Sequence, residues 1–358
     1  MTKKITVGGV AVGGGAPVTI QSMCNTKTED VGATVAQIKA LEAAGCEIVR
    51  VTVPTMEAAA AVSAIREQIA IPLVADIHFD YRLAVEAAVR GADKIRINPG
   101  NIGGEDNVKA VVKTCKERKV PIRIGVNGGS LEKPLLAKYG KVTPEALVES
   151  ALGHIALLEK FDFTDICVSV KSSDVPLNMA AYRLLHERID YPLHLGVTEA
   201  GTFLPGTVRN SVALGILLSE GIGDTVRVSL TAEPEKEVRV GCEILRSLGL
   251  RAPGPAITSC PTCGRTKVDL FRIAGEIENA LESYASSLNR SIGQSVNRSI
   301  PHVAVMGCVV NGPGEAKGAD IALCGGDGEF MLFVKGKAVG KVSEAEAVKK
   351  VMEYVVSL

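Results

Sequence analysis

The sequence predicts an α/β protein, a (β/α)8 TIM-type barrel followed by a smaller α+β domain. Three observations carry that expectation. From residue 18 to residue 233 one theme repeats: a short β-branched run, turn residues, then an Ala/Leu/Glu/Lys stretch of helical period. The theme occurs eight times, and strict βα alternation with eight strands fits a closed barrel better than an open doubly wound sheet. Then Leu250 to Ser259, LRAPGPAITS, breaks the rhythm with two prolines and a glycine, the composition of a linker. The domains expected are therefore residues 1–249 (barrel), 250–259 (linker) and 260–358 (α+β). A chain of 358 residues is long enough for both.

In order, the strand runs are Val18 to Met23, Glu47 to Val53, Pro72 to Phe79, Lys94 to Asn98, Pro121 to Asn127, Asp165 to Lys171, Pro192 to Thr198 and Thr225 to Leu230. The helices between them have recognisable ends. Asp30 to Ala44 stops at Gly45, Tyr81 to Arg90 stops at Gly91, and Thr143 with Pro144 opens the stretch to Lys160. The others are Met56 to Ala70, Asp106 to Lys119, Asp174 to Arg188, Val208 to Glu220 and Pro234 to Leu248. Gly13, Gly14 and Gly15 precede a strand, the wrong order for a dinucleotide-binding turn, so this run is read as an N-terminal hairpin. Beyond the linker the pattern reads helix (Lys267 to Tyr284), strand (His302 to Met306), strand (Asp320 to Leu323), hairpin (Phe330 to Val334 and Ala338 to Val342, turning at Gly336 and Lys337) and helix (Glu344 to Val355).

Composition narrows the partners. Forty Lys plus Arg balance forty Asp plus Glu, and aromatics are 4% with no Trp, so no nucleic-acid or anionic membrane surface is expected. No apolar stretch approaches the roughly 18 residues needed to cross a bilayer. Met1 to Val10 has no apolar export region, and a cytoplasmic setting is expected. There nine cysteines do not form structural disulfides. Cys24, Cys46, Cys115, Cys167 and Cys242 fall on barrel elements and read as small buried hydrophobes.

Catalytic groups of such barrels lie at the C-terminal ends of the strands, and here those ends are densely charged. The second strand carries Arg50, the third ends in Asp76 and His78, the fourth has Arg96 and Asn98, and the fifth Arg123 and Asn127. Lys171 ends the sixth, Glu199 follows the seventh, and Arg227 and Ser229 are on the eighth. Four arginines and a lysine would point into one small volume, where an unpaired cation costs several kcal/mol. Asp76, Glu199 and Glu233 are the carboxylates available to pair with them, and five against three leaves an excess. The excess favours a phosphate-bearing ligand, which arginine forks grip bidentately.

Cys260-Pro-Thr-Cys263 opens the second domain, and Cys308 follows 45 residues later. Two thiolates in a C-x2-C loop can share one metal centre. A structural zinc would want a fourth ligand such as Cys324 or His302; an iron–sulfur cluster accepts three thiolates and a different fourth, for which Glu315 is a candidate. No CxxxCxxC motif is present, which argues against radical barrel chemistry.

The strings ADIHFDYRLA, KIRINPGNIG, PIRIGVNGGSL, SVKSSD, SCPTCGRT and MGCVVNGPGEAKGADI resemble those of the bacterial 4-hydroxy-3-methylbut-2-enyl diphosphate synthases of the methylerythritol phosphate route to isoprenoids. The resemblance spans nearly the whole chain, in the short two-domain form. It implies a [4Fe-4S] cluster held by Cys260, Cys263, Cys308 and Glu315, and reduction by flavodoxin or ferredoxin. It implies as substrate 2-C-methyl-D-erythritol 2,4-cyclodiphosphate, held by Arg50, Arg96, Arg123, Lys171, Arg227 and Ser229, with His78 and Asn127 as polar neighbours and Glu199 as acid/base. It also implies a homodimer with shared active sites. Chain geometry agrees: the last barrel helix runs back from the catalytic face, and a ten-residue linker reaches at most about 33–36 Å. Two rival readings are a barrel phosphate-ester hydrolase or transferase with a structural zinc domain, and a zinc-ribbon RNA-binding module.

Overall fold

The computed structural model describes residues 1–251, 256–292, 300–308, 310, 314 and 317–358. They fall into two compact units, Met1–Arg251 and Ala252–Leu358.

The first unit opens with an antiparallel hairpin of β1 (Ile5–Val7) and β2 (Val10–Val12). Its turn is Gly8-Gly9, both at positive φ, and not the expected run Gly13–Gly15. That run follows the hairpin, where Gly13 presses on the chain so closely that a Cβ would lie 2.2 Å from the Lys3 carbonyl oxygen. Ile5, Val7 and Val12 pack with Ile48, Val74 and Cys167 from the starts of three barrel strands, so the hairpin plugs the barrel's N-terminal end.

Eight parallel strands follow: β3 (Thr19–Met23), β4 (Ile48–Thr52), β5 (Leu73–Asp76), β6 (Lys94–Ile97), β7 (Ile122–Asn127), β8 (Ile166–Lys171), β9 (His194–Leu195) and β10 (Thr225–Val226). They are hydrogen-bonded in the order β8-β7-β6-β5-β4-β3-β10-β9, and a parallel bridge from Val168 to Leu193 closes the ring. This is the barrel the alternating pattern predicts. The expected seventh and eighth strands are trimmed to two residues each. At Gly196 the chain approaches its neighbours too closely for any side chain, and it leaves the ladder there.

The helices start where short polar side chains cap them. Asp30 Oδ1 accepts from Ala33 N at 3.0 Å for α1 (Val31–Ala43), and Thr55 Oγ1 from Ala58 N at 3.1 Å for α2 (Met56–Arg66). Asp80 caps α3 (Tyr81–Val89), Thr143 caps α6 (Pro144–Glu159), and Asp174 caps α7 (Val175–His186). Their inner faces, with those of α4 (Glu105–Arg118), α8 (Phe203–Ser219) and α9 (Pro234–Ser247), meet the outward strand residues in one continuous core. Each fully buried Val, Leu or Ile there contributes about 1.5–3 kcal/mol. One helix was not anticipated, α5 (Lys133–Tyr139), in the long connection after β7. Helix α8 begins at Phe203, five residues before the expected Val208, because Pro205 is tolerated in its first turn.

The second unit is a five-stranded mixed sheet, β11 (Ile257–Ser259), β12 (Val303–Met306), β13 (Ile321–Gly325), β14 (Glu329–Val334) and β15 (Lys337–Ser343). Two helices, α10 (Leu270–Ile292) and α11 (Glu344–Ser357), pack on it over Ile273, Ile277, Val303, Leu323 and Val351. The expected linker thus ends in a strand, since β-branched Ile257 and Thr258 pair in parallel with Val303 and Ala304. The hairpin turns on Lys335 and Gly336, both at positive φ, one residue earlier than expected. Residues 252–255 of the linker lie outside the described residues. Among the described residues no helix is long and apolar enough to cross a membrane.

Candidate active site

Side chains alternate along a strand, so in a closed barrel every second residue points inward. That rule gathers Met23, Arg50, Asp76, Arg96, Arg123, Asn127, Lys171 and Arg227 at the C-terminal mouth, where with His78, Val197 and Thr198 they line a cavity of about 210 Å³. Two glycines make the room. A Cβ on Gly125 would stand 2.4 Å from Arg96 Nε, and one on Gly196 would stand 2.5 Å from Lys171 Nζ.

Asp76 is the shared counter-ion. Its Oδ1 accepts from Arg96 Nη1 at 3.0 Å, and its Oδ2 lies 3.6 Å from Arg50 Nε. Burial works against its ionisation, yet Arg50 and then Arg96 hold its carboxyl below the usual range. The second counter-ion was not anticipated. Glu237 on α9 takes Arg227 Nη2 at 3.1 Å and the Leu230 N–H at 2.8 Å, while the expected Glu233 pairs with Lys236 at 2.8 Å on the surface. The two glutamates are four residues apart, and only the helix start at Pro234 decides which one faces the barrel.

Five cations therefore meet two carboxylates among the described residues. Arg123 is 1% exposed; its Nη1 donates to Ser169 Oγ at 2.7 Å, and its Nε and Nη2 have no partner. Burial, then Arg50 and Arg96, bring it down to about 9. Burial likewise holds Arg50 at about 10 against the attraction of Asp76. Lys171 is lowered well below an ordinary lysine by burial and by Arg123, Arg50, Arg227 and Arg96. With its amide oriented to donate to the Val126 carbonyl, Asn127 accepts from Arg96 Nη2 at 3.2 Å. Such a mouth is an electrostatic vacancy for an anion of two or more charges.

Other expected residues lie at the cavity's edge or beyond it. His78 is exposed at the rim, its ring 6.1 Å from that of Phe79. Ser229 does not line the cavity; its N–H donates to Asn210 Oδ1 at 3.4 Å. Glu199 is exposed on the loop after β9, in the left-handed region at φ 52°.

In the second unit Cys260 directly follows β11 and Cys308 lies two residues beyond β12. These strands are parallel neighbours with Ser259 opposite Val305, so both cysteines emerge at the same sheet end. Cys260 Sγ accepts from the Gly307 N–H at 3.2 Å. The backbone N–H and guanidinium of Arg265 hold the Cys263 thiol below its ordinary value, and Cys308 in turn acts on Arg265. Soft donors at one loop pair, with N–H groups aimed at sulfur, fit an iron–sulfur group. Among the described residues no three His, Cys, Asp or Glu side chains are already drawn together as a ligand set. Glu315 lies outside the described residues. Of the fourth ligands a zinc would want, Cys324 lies within β13 and His302 directly before β12. His302 Nε2 is 2.7 Å from Thr258 Oγ1, and the Cys324 thiol is pushed up to about 11 by burial.

Fold and site together define a barrel enzyme for a phosphate-bearing small molecule, coupled to a cysteine-bearing metal module. The chain belongs to the GcpE family: the GcpE TIM-barrel domain matches residues 2–242 and the GcpE protein C-terminal domain matches residues 256–357. A 4-hydroxy-3-methylbut-2-en-1-yl diphosphate synthase (flavodoxin) of Ruminiclostridium cellulolyticum is 54% identical over 354 residues, 99% of this chain and 97% of that one. The Geobacter sulfurreducens protein of the same name is 56% identical over 345 residues, 96% of this chain and 94% of its own. Among solved structures, the Yersinia pestis dihydropteroate synthase matches with a TM-score of 0.51 at 13% identity, covering 70% of this chain and 100% of that one, which shows the barrel fold alone.

Proposed function

We propose that this chain reduces 2-C-methyl-D-erythritol 2,4-cyclodiphosphate to (E)-4-hydroxy-3-methylbut-2-enyl diphosphate. In that reaction a ring C–O bond to the diphosphate opens and the C3 hydroxyl leaves as water. Two electrons and one proton are consumed. The observation that carries the reading is the surplus of buried cations at the mouth, with Arg123 Nε and Nη2 unpartnered beside the cavity. Arg50, Arg96, Arg123, Lys171 and Arg227 hold the diphosphate, Asn127 fixes Arg96, and the desolvated setting strengthens each contact. His78 borders the ligand from the rim, Ser229 stands beyond the cavity on the segment after β10, and Glu199 supplies the proton that leaves with the hydroxyl.

Cys260, Cys263, Cys308 and Glu315 would hold a [4Fe-4S] cluster, which when bound supplies single electrons and a Lewis-acidic iron. The electrons come from a reduced flavodoxin or ferredoxin; the relatives' names specify flavodoxin. Nine free cysteines suit a reducing cytoplasm.

The active unit proposed is a homodimer in which one chain's cysteine module serves its partner's mouth. Two observations support it. Only nine residues, 248–256, separate the end of α9 from β11, a reach of at most about 32 Å. On α8, Leu204, Val208, Val212 and Ile216 form an exposed apolar stripe at i, i+4 spacing, of the kind a symmetric dimer buries.

The test is anaerobic purification with iron and sulfide analysis, followed by turnover of the cyclic diphosphate with reduced flavodoxin. A protein with a single zinc and no iron, or with iron and no turnover, would remove the reading.

A further inference from the structure

One layer below the mouth, the barrel interior holds polar groups that the reaction described above does not use. Lys94 stands on β6 two residues before Arg96, about 6.6 Å further down the strand. It is 0% exposed, and its Nζ has no partner among the described residues. Elsewhere on the barrel strands the same holds for Thr19 Oγ1, both amide atoms of Gln21, and His194 Nε2. His194 Nδ1 alone is engaged, 2.6 Å from Thr225 Oγ1.

The charge surrounding Lys94 is one-sided. Strand β4 brings Arg50, β7 brings Arg123, β8 brings the Cys167 thiol, and β9 brings His194. From β5 the residue in register is Val74, while Asp76 above it is taken by Arg50 and Arg96. From β3 and β10 come Gln21 and Thr225, which do not titrate, and the hairpin plug below is apolar. A buried ammonium facing cations and no free carboxylate is strongly disfavoured. Burial above all, joined by Arg123 and Arg50 and opposed only by Cys167, holds Lys94 at about 8.

We propose that Lys94 forms the proton-accepting floor of the anion site, neutral in the free protein at alkaline pH and protonated when a diphosphate fills the mouth. The inference rests on reading the mouth as a diphosphate site. The amine takes its proton from solvent, and no bond other than N–H forms. Bound phosphate supplies the negative charge that the free barrel lacks, one layer above. Linkage makes this reciprocal: affinity for the anion falls as pH rises past about 8, by up to tenfold per pH unit.

Calorimetric titration tests this. The iron-loaded protein, without electron donor, is titrated with the cyclic diphosphate at pH 7, 8 and 9 in buffers of different ionisation enthalpy. The phosphates of that ligand do not titrate in this range. Net proton uptake should climb between pH 7 and pH 9. In Lys94→Met the climb should shrink and the affinity at pH 7 should fall at least severalfold. Uptake by Lys171 or Arg123, both lowered by burial beside other cations, would persist in the variant, so the share of Lys94 is the difference between the two proteins. Binding without a pH-dependent uptake, or the same climb in Lys94→Met, overturns the proposal. Should that variant not fold, Lys94→Gln replaces it, and a flat profile in the unaltered protein is decisive alone. If the cyclic diphosphate gives no heat and does not bind, the diphosphate reading itself falls.

Discussion

Gly196 and Lys171 share a space that only one side chain can occupy: a Cβ on Gly196 would lie 2.5 Å from Lys171 Nζ and 2.7 Å from the Arg227 carbonyl oxygen. The strand bearing the glycine is cut short, and the lysine gains a buried seat among arginines. Local sheet pairing is given up where the site needs volume.

Gly196→Ala should therefore act on binding first. The added methyl must push aside Lys171 or the backbone at Arg227, an overpacking cost of about 1–3 kcal/mol. KM for the cyclic diphosphate should rise roughly tenfold or more with iron content unchanged. A variant with the original KM would mean that the lysine does not need this position.

Removing a cation should separate binding from cluster assembly. Arg123→Ala and Lys171→Ala should raise KM or abolish turnover while iron and sulfide stay constant, each lost charge-assisted contact being worth about 1.5–3 kcal/mol. Glu199→Gln should spare binding and lower kcat. Normal substrate affinity in the cation variants would assign those side chains to a structural ion network instead.

The cysteines should behave as a unit and Glu315 apart from them. Cys260→Ser, Cys263→Ser or Cys308→Ser should lose iron and activity together, since in the proposed cluster thiolates would hold the irons that stay. Glu315→Ala should retain much of the iron, alter its spectrum and cut turnover. An unchanged spectrum and rate in Glu315→Ala would release that residue from the ligand set.

Acid stability should report a latch between the N-terminus of α5 and helix α6. Glu132 Oε1 lies 2.7 Å from His154 Nε2 and accepts from Ser150 Oγ at 2.9 Å. Burial opposes its ionisation, but these contacts and its own backbone hold Glu132 at about 2. The folded value is below the unfolded one, so the stabilisation is complete above about 4.5 and is lost as pH falls toward about 2. Thermal melts of Glu132→Gln should show a lower Tm than the parent at pH 6 and convergence with it near pH 2. A gap in Tm independent of pH would contradict the charge-based account.

The shared-site dimer predicts complementation. Mixing inactive Arg123→Ala with inactive Cys308→Ser should restore one intact site per heterodimer, up to about a quarter of full activity after random reassortment. Verified subunit exchange without recovered activity would exclude sharing, as would an active monomer.

The strand-end cations were legible in the sequence because side-chain alternation in a β-strand is local. Once eight runs are counted, Arg50, Arg96, Arg123, Lys171 and Arg227 can only point inward together. The same alternation puts Lys94 on the face of Arg96, a signal available in KIRIN that the sequence reading passed over. Cys260 and Cys263 were legible as a candidate donor pair for a similar reason, since C-x2-C fixes two thiols within a few bonds. What tertiary structure alone decided was pairing over distance. Glu237 rather than Glu233 answers Arg227 because α9 begins at Pro234, which leaves Glu233 at the N-cap with non-helical backbone and puts Glu237 inside the helix on its buried face. Gly125 and Gly196 each leave the space that a side chain from a neighbouring strand occupies. Volume excluded between strands far apart in the chain leaves no trace in local pattern, and it was settled only when the barrel closed.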